Sequence, residues 1–169
     1  MIHSKIARDK AKNIIEMFHV DEAPVDVFGI AEKLGFIVDF IDLSNDIDAR
    51  VEAHEDIKVI FVNKNHPKVK QRFSVSHELG HYLSGHENYS GEARRQADID
   101  KKYLNPQYQQ EYEANDFAAE LLMPEKILRK DVDENKLTLS ELVKLYEVSE
   151  QAMTIQLVNL KLEFNQSKK

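Results

Sequence analysis

The sequence predicts an α+β fold, a small and mostly antiparallel sheet packed on a pair of helices with a further helix pair at the C-terminus. Three observations carry this prediction. Apolar residues recur at helical spacing near the start, short β-branched and aromatic runs cluster between positions 36 and 63, and helical spacing returns after Pro67.

Taken in order, Ile6, Ala7, Ala11, Ile14, Ile15 and Phe18 stand three to four apart, which makes residues 4 to 18 an amphipathic helix. APVDVFGIAEKLG is a second, short helix with Pro24 near its start and Gly35 at its stop. FIVDFI has the composition of a strand, and DLSNDID that of a loop. RVEAH and IKVIFVN flank Glu55-Asp56 and form a strand pair joined by a tight turn. A helix then runs from Pro67 to about Ser84. The polar stretch SGHENYSGEARRQADIDKKYLNPQ keeps no period and reads as a long surface excursion. YQQEYEANDFAAELLMP is a helix with an alanine- and leucine-rich face, stopped at Pro124. TLSELVKLYEVSEQAMTIQLVNLKLEF divides at Val148-Ser149 into two helices with Thr138 and Ser149 as N-caps, and NQSKK frays. Neither a repeat nor a linker divides the chain, so residues 1–169 are expected to form a single domain with 138–163 packed into it.

The chain has no cysteine, which excludes disulfides and thiolate zinc sites and leaves His and carboxylates as the only strong metal ligands. MIHSKIARDKAKNIIEMF lacks an apolar signal core, and no stretch approaches the roughly 18 apolar residues of a membrane span. A cytoplasmic protein is expected. The net charge of -7 disfavours direct nucleic-acid binding and favours a basic protein partner.

Chemistry concentrates in RFSVSHELGHYLSGH. His77 and His81 are one helical turn apart on one face, so both imidazoles reach a single ion. Glu78, one residue on, is placed to take a proton from water beside that ion rather than to ligate it. Gly80 weakens the helix by about 1 kcal/mol relative to Ala, which implies a close neighbour at its backbone. Val75 and Leu79 face the core. A third ligand is needed. His86 lies about 140° round the helix from His81, on the wrong side unless the helix has ended, and is expected to be a surface or substrate-side residue. On the helix 108–123, Ala114, Phe117, Ala118, Leu121 and Leu122 form an apolar stripe, and Glu111 falls within its arc while Glu113 and Asp116 fall outside. A carboxylate on such a face is costly unless paired or metal-bound. Glu111 is therefore the expected third ligand, with Glu113 as fallback, and Asn115, one turn on along the same side, can hydrogen-bond one of the ligands.

RFSVSHELGHYL followed by EYEANDFAAELLMP resembles the ImmA/IrrE family of zinc metallopeptidases, over about residues 25 to 163. The resemblance implies a zincin-like pair of active-site helices, Zn2+ held by His77, His81 and Glu111, and Glu78 as general base. It also implies a protein substrate, typically a helix-turn-helix regulator of a mobile element or stress regulon. A binding module that sequesters such a regulator without cutting it is the alternative. Either strand of the hairpin can offer an edge for substrate, and Tyr82, Tyr112 or His86 can stabilise the oxyanion. LSELVKLYEVSEQAMTIQLVNL has a helix-turn-helix pattern, but the second helix brings only Lys161 as a base, so packing helices or a docking surface are the expected reading. KVKQR reads as the solvated face of its helix, and EARRQADIDKK as a solvated charged segment.

Overall fold

The computed structural model describes residues 2–86 and 106–164, in which seven helices accompany a three-stranded sheet. Helix α1 (Ile2–Met17) buries Ala7, Ala11 and Ile14, the expected face. Helix α2 (Val27–Lys33) begins where the Asp26 carboxylate accepts from the Gly29 amide at 3.0 Å, and it is closed by Gly35 at φ +86°, a backbone region that favours glycine. Pro24 stands just before that cap.

Strands β1 (Phe36–Ile41), β2 (Ala49–His54) and β3 (Ile57–Asn63) lie in the order β1-β3-β2. The β2–β3 hairpin turns at Glu55-Asp56 as expected, with His54 opposite Ile57. The sheet as a whole is mixed, because β1 pairs with β3 in parallel. Residues 42–48 carry the chain across the end of β3 and set β2 down on its far side. Buried Asn63 holds that crossing: its Nδ2 is 3.2, 3.1 and 2.9 Å from the carbonyl oxygens of Leu43, Ser44 and Ile47. With β3 in the middle, β2 is the hairpin strand that keeps a free edge among the described residues. Phe36, Ala49, Ile60 and Val62 point from the sheet into the core, while Ile37 and Ile57 face out.

Helix α3 (Lys68–Ser84) packs under the sheet, α4 (Pro106–Leu122) packs on α3, and α1 covers α4. The chain then forms a helix not anticipated above, α5 (Glu125–Asp133). Pro124 does end α4, but it also starts α5, where Glu120 Oε1 accepts from the Glu125 amide at 3.0 Å. Helices α6 (Leu139–Tyr146) and α7 (Glu150–Asn159) start at Thr138 and Ser149 as expected, the first with a full capping box to Glu141. Leu142, Tyr146, Met153 and Leu157 join the same apolar cluster as Leu79 and Phe117. Tyr146 donates to Asp131 at 2.7 Å and ties α6 to α5.

KVKQR is not wholly a solvated face. Arg72 is 3% exposed, with its guanidinium 3.4 Å from the Tyr146 carbonyl and 3.6 Å from Glu147. Its long stem fits between α3 and α6 while its charge meets the helix end, a combination that charge patterning alone does not reveal. Among the described residues no helix is long and apolar enough to cross a membrane. The expected surface excursion from residue 87 to 105, with EARRQADIDKK inside it, and the NQSKK end lie outside the described residues.

Candidate metal centre

The site is built on the contact between α3 and α4. A Cβ at Gly80 would stand 3.1 Å from the Ala114 Cα, the Ala114 carbonyl oxygen and the Phe117 Cβ. The close neighbour implied by that glycine is thus α4 itself, and the missing side chain lets Glu111 come down over the two histidines. Val75 and Leu79, both fully buried, hold the other side of the same turn. Gly80→Val is accordingly expected to lower stability by about 1–3 kcal/mol, the usual cost of overpacking, and to weaken metal binding with it; denaturant unfolding and metal titration measure the two effects.

The structure brings His77, His81 and Glu111 together, with one ligand atom from each inside a 4.8 Å span. His77 Nε2 is 3.0 Å from His81 Nε2, and the two Glu111 oxygens are 3.3 Å from the two rings. Ligand atoms about 2.0–2.1 Å from one ion at tetrahedral angles stand about 3.3–3.4 Å apart. The observed triangle is close to that size. The tautomers agree as well. His77 Nδ1 lies 2.9 Å from Asn115 Oδ1, so Nδ1–H donates to the amide oxygen and the Nε2 lone pair faces Glu111. The residues therefore fit a divalent ion.

Electrostatics favour the ligating form at two of the three groups, His81 and Glu111. Burial pushes the His81 imidazole down to about 4, more than Glu111 restores. Burial also opposes a charged His77, but Glu111 and Glu78 outweigh it and raise its pKa. Burial favours the neutral form of the Glu111 carboxyl, yet the hydrogen bonds of His77 and His81 prevail and hold it at about 2. An ionised Glu111 and a neutral His81 have the protonation that metal ligation requires, whereas at His77 an ion would displace the proton that the neighbouring carboxylates favour. Glu111 is not fully enclosed: its side chain is 39% exposed against 7% and 1% for the two imidazoles, which puts it at the rim of the site. Glu78 is fully buried beside them.

His86 requires a correction. It is neither a surface nor a substrate-side group: its side chain is 6% exposed, Nδ1 sits 2.9 Å from His81 Nδ1, and Nε2 sits 3.1 Å from Glu113 Oε2. With both nitrogens engaged it has none left for an oxyanion. Glu113, the fallback ligand, is occupied with His86. Tyr82 packs edge-on against Phe36 on the sheet side. Tyr112 lines a cavity of about 730 Å³ that extends from Phe73 and Asn115, both against His77, to Ile155 and Asn159 on α7.

A family model described as the IrrE N-terminal-like domain, a peptidase family, matches residues 31–157. That span runs from within α2 into α7 and takes in every residue of the candidate centre. No curated protein matches the chain.

Proposed function

The chain belongs to the IrrE N-terminal-like family of peptidases, and from that premise we propose that it is a zinc-dependent endopeptidase of the cytoplasm, whose substrate is a helix-turn-helix transcriptional regulator. The convergence of His77, His81 and Glu111 beside buried Glu78 carries this reading. Two imidazoles and one carboxylate are the donor set of several catalytic zinc sites, and three protein ligands leave a position for chemistry.

When bound, the ion supplies Lewis acidity, polarising a peptide carbonyl and acidifying water beside it. The Glu78 carboxylate takes the proton from that water and returns it to the leaving amine nitrogen, so one group serves as base and then as acid. Its burial keeps bulk water from competing for that proton. Asn115 holds the His77 ring in one tautomer. The free edge of β2 can take an extended substrate segment as an added strand. The cavity beside Asn115 has room for an apolar side chain, and Tyr112 on its wall is the remaining oxyanion donor of the three tyrosine and histidine candidates.

A regulator suits the charge: a chain of net charge -7 attracts a basic DNA-binding protein. The α6–α7 pair favours packing over reading DNA, because Gln156 on the second helix is buried, donates to the Met123 carbonyl at 3.1 Å and lies 3.3 Å from Arg8. The direct test is to incubate the purified protein with a helix-turn-helix regulator encoded beside it. Discrete fragments are expected with added zinc and none with a chelator; a regulator left whole in both tubes counts against the proposal.

A further inference from the structure

We infer that His86 and Glu113 form a positioning pair that fixes the His81 imidazole for the ion, an inference that rests on the metallopeptidase reading above. The arrangement starts with the end of α3. Gly85 adopts φ 65° and ψ 37°, and the His86 amide donates to the His81 carbonyl at 3.3 Å, so the chain reverses at once. Residue 86 is folded back over residue 81 instead of continuing round the helix. The two rings meet edge to face with centroids 5.0 Å apart.

The hydrogen bonds then permit a single order of tautomers. If His81 presents its Nε2 lone pair to an ion, its proton is on Nδ1 and donates to His86 Nδ1, 2.9 Å away. His86 Nδ1 must then be the acceptor, which places the His86 proton on Nε2. That nitrogen is 3.1 Å from Glu113 Oε2, and the carboxylate accepts it. The other Glu113 oxygen accepts from Gln109 Nε2 at 3.0 Å, so the carboxylate is itself held in place. His77 meets the same need more directly, through Asn115 Oδ1. Each imidazole of the candidate centre therefore has a dedicated acceptor at its Nδ1, and α4 stands behind both: Asn115 contacts one ring directly, and Glu113 reaches the other through His86. Partners of this kind set ring orientation and raise the basicity of the ligating nitrogen.

The test compares wild type, His86→Ala, His86→Asn and Glu113→Ala by zinc competition against a chromophoric chelator and by the visible spectrum of the cobalt-substituted protein. His86→Ala is expected to lose about 10–100-fold in zinc affinity and to alter the cobalt bands. His86→Asn, whose Oδ1 can stand where Nδ1 stood, is expected to recover most of both. Glu113→Ala, away from the helix end, is expected to shift both in the same direction by less. A role confined to closing α3 would lower thermal stability and leave the cobalt bands alone. If His86→Ala and Glu113→Ala bind zinc like wild type with unchanged bands, the inference is overturned. If His86→Ala does not fold, an unaltered Glu113→Ala overturns it by itself. A wild type that takes up no zinc refutes the metallopeptidase reading and this inference together, whereas normal zinc uptake with indifferent variants refutes the inference alone.

Discussion

Glu78→Gln is expected to reduce cleavage of the regulator by about 10²–10⁴-fold, the usual contribution of a general acid–base group, while zinc content per chain stays at the wild-type level. The side chain is fully buried, and glutamine has nearly its volume, so the packing of α3 changes little. What is lost is the ability to accept a proton from water and deliver it to the departing amine. Zinc analysis and thermal unfolding of the variant establish that the site and the fold survive, so the missing activity can be assigned to that proton. The same variant separates the two functional classes. A variant that still cleaves the regulator at the wild-type rate removes Glu78 from the mechanism. A wild type that binds the regulator tightly and never cuts it points to the sequestering module, and Glu78→Gln is then without effect on binding.

How far this site could be read in advance depended on whether the relevant geometry was local. His77 and His81 share a face because of the helical period, and the same period places Glu111 on the inward face of α4. Gly80 announced its neighbour through the propensity it sacrifices, and the neighbour proved to be Ala114 and Phe117 of α4. The caps at Thr138 and Ser149 and the Glu55-Asp56 turn were likewise local. Three other features depended on where the chain stops or crosses. His86 is far from His81 only on a helix that continues past Ser84, and Gly85 turns the chain back so that residue 86 meets residue 81; a glycine just past a helical run is the signal for such a reversal. Helix α5 is hidden because Pro124, which signals the stop of α4, also stands at the start of α5. The parallel placement of β1 depends on Asn63, which grips the loop from Leu43 to Ile47 through tertiary contacts, and a propensity argument has no access to those.

Glu111→Ala is expected to lower zinc affinity by more than about 100-fold, because loss of a group that merely orients a ligand already costs 10–100-fold. Cleavage is expected to be lost with it. The consequence extends to stability: zinc at 100 times its dissociation constant stabilises a folded protein by about 2.7 kcal/mol, which for a chain of this size raises the melting temperature by about 5–11 °C. Wild type is expected to show that rise on addition of zinc, and Glu111→Ala to show almost none. Replacement from nearby is blocked in a specific way. Glu113 is the adjacent carboxylate on α4, but its oxygens are engaged by His86 and Gln109, and recruiting it to the ion would withdraw the support behind His81. A Glu111→Ala protein that keeps the full zinc-induced rise would therefore mean that the ion does not sit between His77 and His81 and α4, and the peptidase chemistry derived from that placement would have to be abandoned.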